Sequence, residues 1–395
     1  SGNAIRRGLI YNTDEATHKI GSLLQQLDRQ LQQKSQPGLK KIYVGIGGQA
    51  LYSQSCSFQK NVTKDEVDIA LIDELENECL MVEDDSYELI EVVSREYFVD
   101  GQLDANPEGA TGKVLEAKFQ LIRGYASSFK LKVEQAVLKA GFEVAGYFVS
   151  PLATAEAMLT VSEKKTGCAL VEIGAGLTFI SIYINGLLRY LATLPMGGYA
   201  ITKDICVLKN NLSETEAENL KRTEGNALTD DDNTDLNQWI EARATEIAAN
   251  IRHQIQQSGY ADALKAGIVL TGGAAALKNM DKLLAQQTRQ TVRLASGNLS
   301  QACAWGMLLL GKENCSKPEE IKQPTDMFGQ VESDSKDRKK AKKAKKGFFG
   351  WVSDSEQPEE KPKKEKPKKE KPVSKKKPDE PKKGAGGIVD FIFGD

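Results

Sequence analysis

The chain has 395 residues, 40% of them hydrophobic, so it can bury a sizeable core, and its length predicts two or three domains. The segment 336–383 holds 20 lysines and arginines against 9 acidic residues, so it carries +11, whereas the whole chain carries −2 and the rest therefore −13. Six cysteines without CxxC spacing and only two histidines disfavour a disulfide framework, histidine-based metal sites and Ser-His-Asp catalysis. Several of the cysteines lie in apolar segments, as small buried residues do, so we expect a cytosolic chain. No apolar run reaches the ~18 residues of a membrane span and no signal peptide is visible.

The first 160 residues alternate between helical and strand patterns. Thr63 and Glu66 have the spacing of a capping box, which predicts that the second helix begins there. In chain order we expect helices over 13–33, 63–79, 127–140 and 151–159, and strands over 41–46, 87–99, 114–123 and 142–149.

A three-stranded meander is predicted between residues 167 and 198. The runs 169–173 and 178–184 are apolar and β-rich, and a third run covers 187–193. Asn185-Gly186 is a strong hairpin signal between the last two runs, because both residues tolerate positive φ.

The turn Gly174-Ala175-Gly176 follows Glu172 within this meander. A carboxylate beside glycine-rich backbone N–H groups can hold a phosphate chain and its metal ion. The alternative is a hairpin whose glycines only turn the chain.

The remainder of the folded part is mostly helical, with one further glycine turn. Helices are expected over 201–208, 213–223, 236–258, 275–287 and 301–310, and strands over 266–270 and 291–294. Gly272 and Gly273 follow the strand 266–270 and are predicted to open directly into a helix, which would point free N–H groups at a ligand. An ordinary strand-to-helix turn explains these glycines equally well. Glu218 and Lys221 are three residues apart and share a helix face. They would form either a ligand-binding pair or a solvated ion pair.

The segment 312–383 is rich in Lys, Glu and Pro, and we expect it to be a disordered tether. Apolar islands lie at 348–352 and 388–393. Near an anionic membrane each lysine contributes about 1 kcal/mol, and two weak anchors give stable attachment. A soluble spacer is the alternative. Nucleic-acid binding is disfavoured, because the aromatic residues stand at the ends of the basic blocks rather than within them.

Order and spacing of these loops resemble the actin/Hsp70/sugar-kinase nucleotide-binding fold, in which two lobes close on ATP. Five further passages carry a narrower resemblance: IRRGLI at 5–10, YVGIGG at 43–48, VVSREY at 92–97, SPLA at 150–153 and GIVLTGGAA at 267–275. Through them the sequence resembles the FtsA family of bacterial cell-division proteins over about residues 4–311.

The resemblance implies an α/β, two-lobed, actin-like (ribonuclease H-like) ATPase fold with an FtsA-type inserted subdomain and a disordered C-terminal tail. It implies residues 1–38 as the start of the first lobe, 39–121 as the inserted subdomain, 122–160 as the rest of the first lobe and 161–311 as the second lobe, with a small subdomain at about 202–264. A basic linker at 312–383 and an apolar membrane-contact segment at 384–395 complete this division.

The resemblance also implies binding sites. ATP would contact Gly174, Ala175, Gly176 and Thr178 through its phosphates, Glu218 and Lys221 through ribose or base, and Gly272, Gly273 and Ala274 beneath the adenosine. Mg²⁺ would lie at Glu172. The residues that contact the membrane would be Phe348, Phe349, Trp351, Ile388, Phe391 and Ile392.

Three departures from the family pattern bear on catalysis. The first phosphate loop of the family, near its N-terminus, is absent, which we interpret as a truncation rather than a loss in this lineage. The family's Asp is Glu172, a glycine is Ala175, and a hydroxyl residue is Leu177. We therefore expect ATP binding with weak or absent hydrolysis.

The implied function is a cell-division protein that polymerises, holds FtsZ filaments to the cytoplasmic face of the membrane at the division site through the FtsZ C-terminal peptide, and recruits later division proteins. The alternatives are a pilus-assembly actin-like protein and a sugar-kinase-type phosphotransferase. A kinase would need a catalytic aspartate, for which the sequence offers no convincing candidate, and has no use for a lysine-rich tail.

Overall fold

The computed structural model describes residues 4–34, 38–63, 66–84, 86–125, 127–209, 212–229 and 234–315. All of them belong to the first of two compact units, Ser1–Glu320. The expected linker beyond residue 315 and the expected membrane-contact segment 384–395 lie outside the described residues.

Strands and helices alternate along the described chain. The strands are β1 Ile5–Arg6, β2 Leu9–Ile10, β3 Lys41–Ile46, β4 Tyr52–Asn61, β5 Glu88–Val99, β6 Gln102–Asp104, β7 Val114–Gly124, β8 Glu143–Val149, β9 Cys168–Ile173, β10 Thr178–Ile184, β11 Leu187–Leu194, β12 Ile268–Thr271 and β13 Val292–Leu294. The helices are α1 Thr13–Gln33, α2 Ile69–Leu80, α3 Ser127–Lys139, α4 Ser150–Met158, α5 Val161–Thr166, α6 Gly198–Leu208, α7 Glu214–Glu224, α8 Asp235–Gln257, α9 Met280–Thr288 and α10 Ala302–Cys315.

A five-stranded sheet in the order β11-β10-β9-β12-β13 forms the second lobe. The predicted meander is confirmed, since β9, β10 and β11 pair antiparallel, while β12 pairs parallel with β9 and β13. Asn185 and Gly186 turn the hairpin with φ of 56° and 83°. One face of the sheet packs against α6, α8 and α9 through a large apolar cluster, and the other face packs against α4.

The first lobe is built on the parallel pair β3 and β8, with α1 and α3 packed together beside it. Between β3 and α3 the chain forms a separate sheet in the order β4-β7-β5-β6, which α2 covers with Ile72, Leu75 and Cys79. We call this sheet and α2 the four-stranded unit.

Two helix starts were wrong in the sequence analysis. Helix α2 is capped by Asp68, whose side chain accepts a hydrogen bond from the Leu71 N–H at 2.9 Å, and Glu66 instead forms a β-bridge with Thr111. Residues Gly273–Ala276 form a short 3₁₀ turn, and α9 begins only at Met280 because Asn279 adopts a left-handed conformation with φ of 60°.

Strand β4 was missed in the sequence because its residues, YSQSCSFQKN, are mostly polar. Its apolar side chains alternate with exposed polar ones, as expected for the edge of a sheet. No helix among the described residues is long and apolar enough to span a bilayer.

Candidate functional site

Strands β9 and β12 bring the two predicted glycine turns side by side. Thr271 is the register partner of Glu172 in the parallel ladder. Gly272 follows with φ of +93°, and a Cβ built there would lie 2.4 Å from the carbonyl oxygen of Ile173. Gly272 is therefore required by its backbone conformation and by the closeness of β9, whatever ligand the turn binds.

The start of α6 adds a third glycine element to this place. The N–H groups of Gly198 and Tyr199 donate to the carbonyl oxygens of Gly174 and Ala175 at 2.9 and 2.8 Å. A Cβ at Gly197 would lie 2.4 Å from the Gly174 oxygen. Sequence reasoning assigned no role to Gly197 and Gly198, although a glycine pair between a strand and a helix was a visible signal.

Glu218 and Lys221 lie on α7 against this glycine pair. The Lys221 ammonium donates to the Gly198 carbonyl oxygen, the Thr202 hydroxyl and the Glu218 carboxylate at 3.0, 2.9 and 2.6 Å. Lys221 is buried, with 8% of its surface exposed, so it is more than a solvated surface ion pair. Arg222 donates to the other Glu218 oxygen at 2.8 Å from an exposed position.

Ala274 completes the convergence. A Cβ built on Gly198 would lie 2.6 Å from the Ala274 Cβ and 3.5 Å from the Lys221 Nζ. The start of α6, the face of α7 and the turn after β12 are thus in direct contact. The turn after β9 joins them through its hydrogen bonds to α6.

Glu172 and Thr178 differ in their hydrogen bonding. The Oε2 of Glu172 is buried without a hydrogen-bond partner, as are the hydroxyl oxygens of Thr154 and Thr271, among the described residues. Burial raises the pKa of Glu172. Thr178 is fully buried and donates its hydroxyl to the Met196 carbonyl at 2.9 Å, so that hydroxyl is already in use.

The turn 174–176 also faces the first lobe. Ala175 is exposed, and the Cγ of Arg7 lies 3.5 Å from a Cβ built on Gly176. The sequence analysis used Arg7 only as part of a family signature. Within the described residues no three His, Cys, Asp or Glu side chains form a metal-binding group. The membrane residues predicted at 348–351 and 388–392 lie outside the described residues.

Comparison with known proteins settles the family. A family model described as "Cell division protein FtsA" matches residues 169–323, and a model described as "SHS2 domain inserted in FTSA" matches residues 48–123, where the four-stranded unit lies. The chain is 30% identical over 318 residues to the cell division protein FtsA of Bacillus subtilis (strain 168), covering 74% of this chain and 71% of that protein. The chain belongs to the FtsA family of cell division proteins.

A second member of the FtsA family, from Porphyromonas gingivalis (strain ATCC BAA-308 / W83), is 31% identical over 323 residues, with 74% of this chain and 66% of that protein covered. This chain therefore spans about two thirds of that relative. A solved structure titled "PilM-PilN type IV pilus biogenesis complex" shares the fold, with a TM-score of 0.53, 16% identity, and coverage of 79% of this chain and 89% of that one. The predicted α/β actin-like fold with an FtsA-type insertion is confirmed.

Proposed function

We propose that this chain binds ATP in the cleft lined by the turns 174–176, 197–198 and 272–274, polymerises, and tethers FtsZ filaments to the cytoplasmic face of the membrane at the division site. Membership of the FtsA family supports the cell-division role. The observation that carries nucleotide binding is the contact of Gly198 with both Ala274 and Lys221, because it unites three separated backbone elements.

For the nucleotide, we assign Gly174, Ala175 and Gly176 to the phosphates and Gly273 and Ala274 to the adenosine. Gly273 leaves open space, since the nearest atom to a Cβ built there is the Ser300 Cβ at 3.9 Å. Lys221 and Glu218 border the ribose, and the three hydrogen bonds of Lys221 hold the start of α6 in place. Thr178 supports the turn from inside, because its hydroxyl is bonded to Met196.

The residues present fit Mg²⁺ accompanying a triphosphate. Mg²⁺ keeps several waters and is bound through one or two carboxylates plus phosphate oxygens, so a single carboxylate at Glu172 suffices. The unpartnered Oε2 of Glu172 and the hydroxyls of Thr154 and Thr271 supply oxygen atoms beside the cleft. Glu172 would hold the metal ion, and the ion would supply positive charge that neutralises the phosphates.

In this proposal hydrolysis is slow because Ala175 and Leu177 differ from the residues of the family pattern. Ala175 places a methyl group on the exposed turn, and Leu177 has no hydroxyl to hold a water. The cleft then acts mainly as a binding site that sets the shape of the two lobes.

Membrane attachment and partners extend the proposal. The basic segment 336–383 would lie on an anionic leaflet, with Phe348, Phe349, Trp351, Ile388, Phe391 and Ile392 inserted into it. The FtsZ C-terminal peptide would bind the second lobe around residues 202–264, and the four-stranded unit would contact the next subunit of a filament.

A pilus-assembly role is the second candidate, favoured only by the fold shared with the PilM–PilN complex.

Co-sedimentation with vesicles of phosphatidylglycerol and phosphatidylethanolamine tests the tether. We expect the full chain to pellet with them and to carry FtsZ filaments along, and a chain lacking residues 336–395 to stay in the supernatant. Replacing Phe348, Phe349 and Trp351 by Ala, with every lysine kept, separates insertion from charge. Unchanged pelleting after deletion of 336–395 would rule the tether out.

A further inference from the structure

The four-stranded unit and the five-stranded sheet meet edge to edge. Strands β4 and β11 each form an edge of their own sheet. The Leu191 N–H donates to the Ser53 Oγ at 2.7 Å, and the Thr193 hydroxyl donates to the Leu51 carbonyl at 2.7 Å. Two hydrogen bonds at alternate residues of β11 fix the alignment of the two edges, although the sheets share no ladder.

Three β-bulge residues lie at this junction between the two sheets. Arg189 is the extra residue of a bulge in β11, between the residues paired with Ile182 and Tyr183. Ile90 and Val93 are the extra residues of two bulges in β5. Bulges redirect side chains, and these three are the bulge residues of the antiparallel ladders in the described part of the chain.

The side chains of all three bulge residues make contacts between the two sheets. Ile90 and Val93 pack into the apolar cluster on the α4 face of the five-stranded sheet. The Arg189 guanidinium binds the Glu96 carboxylate of β5 through two hydrogen bonds, one of them 2.9 Å long between NH2 and Oε1. Only 22% and 13% of the two side chains are exposed, and the hydrogen bonds to Glu96 raise the pKa of Arg189.

The other end of β11 leads to the cleft. The strand ends at Leu194, and Met196 accepts the Thr178 hydroxyl before Gly197 and Gly198 seat the turn 174–176. The eight-residue strand spans about 26 Å and is hydrogen-bonded to β10 along its length, and three residues join it to α6. A displacement of β11 would therefore also move the start of α6.

We propose that β11 couples the nucleotide cleft to the four-stranded unit, through Arg189, Leu191 and Thr193 along the strand and through Gly197-Gly198, which follow its C-terminal end. This inference rests on the proposed nucleotide binding. A ligand that holds the turn 174–176 would tighten the junction with the four-stranded unit. If the nucleotide changes the affinity of a partner for the four-stranded unit, that partner changes the nucleotide affinity by the same factor, because coupling is reciprocal.

Hydrogen–deuterium exchange on the full-length protein tests the coupling. With Mg²⁺ and ATP we expect exchange to slow several-fold in residues 52–61 and 88–99 as well as in 172–178. Arg189→Ala should abolish the slowing in the first two segments and keep it in the third, and Arg189→Glu combined with Glu96→Arg should restore it. Arg293→Ala is the matched control, since it removes a comparable two-bond ion pair with Glu163 at the other edge of the five-stranded sheet.

A second arm needs no ligand. In nucleotide-free protein, Arg189→Ala should speed exchange at 197–202, beyond the junction itself, whereas Arg293→Ala should not. Slowing confined to 172–178 in the unmodified protein would overturn the coupling and leave nucleotide binding intact. Absence of ATP-dependent slowing at 172–178 would refute the proposed function, and unchanged exchange at 197–202 in Arg189→Ala would refute the coupling on its own.

Discussion

Thr271 lies directly opposite Glu172 where the parallel strands β12 and β9 end. The pairing places both side chains on the same face of the sheet, next to the buried Thr154 hydroxyl on α4. Both turns that follow these strands then meet the start of α6. This single register brings together turns that are far apart in the sequence.

The turn after β12 separates folding from ligand binding through two glycines. We expect Gly273→Ala to leave the free energy of unfolding within about 0.5 kcal/mol, because a Cβ there meets no atom closer than 3.9 Å. The same methyl group would occupy the space assigned to adenosine, so ATP affinity should fall about tenfold, or ~1.4 kcal/mol. Urea unfolding and nucleotide titration measure the two quantities.

Gly198→Ala is the matched comparison. Its Cβ would lie 2.6 Å from the Ala274 Cβ, so overpacking should cost about 1–3 kcal/mol of stability before any ligand is added. Equal stability losses in the two variants, or unchanged ATP affinity in Gly273→Ala, would contradict the assignment of this turn.

Lys221 should stabilise the lobe far more than its neighbour on the same helix. Lys221→Ala removes the buried ammonium that donates to the Gly198 carbonyl, the Thr202 hydroxyl and the Glu218 carboxylate, and we expect a loss of about 2 kcal/mol. Arg222→Ala removes an exposed partner of Glu218 and should cost under about 0.5 kcal/mol. Similar urea midpoints for the two variants would show that the Lys221 hydrogen bonds add little.

Local signals in the sequence located the elements well. Residues 13–33 and 41–46 form the predicted helix and strand, and Asn185-Gly186 turns the predicted hairpin. Each of these depends on periodicity or on the conformational preference of one or two residues. The cap at Asp68 was missed for the opposite reason: Thr63 and Glu66 have capping spacing, but Glu66 is held in a bridge by Thr111, a contact made only in the folded chain.

Glu91 predicts a dependence of stability on pH. Burial raises its pKa from 4.5 to about 7, and it has no hydrogen bond or ion pair within the described part of the chain. Because the folded-state pKa is raised, the unfolded chain releases the Glu91 proton at lower pH than the folded chain does. The free energy of unfolding is therefore highest below about pH 4.5 and falls as the pH rises through 7. Glu91→Gln should therefore raise the free energy of unfolding at pH 8 by about 2 kcal/mol and change it little at pH 4.5.

Urea unfolding of Glu91→Gln at both pH values checks this, with the exposed Glu143→Gln as control. A gain that is the same at pH 4.5 and pH 8 would mean that the carboxyl titrates normally in the folded protein.

The candidate site was only partly accessible from sequence. Glycine turns, Glu218 and Lys221 could be named, because their spacing and the family resemblance point to them. The roles of Gly197 and Gly198, the use of the Thr178 hydroxyl by Met196 and the bulge at Arg189 arise from contacts between strands and turns that no local pattern encodes.

Photolabelling of the full-length protein with 8-azido-ATP, followed by peptide mapping, tests most directly whether these turns surround one nucleotide. The account predicts labels within 214–224 and 271–277 that unlabelled ATP suppresses. Labels elsewhere in the chain, or labelling that ATP does not compete away, would contradict it.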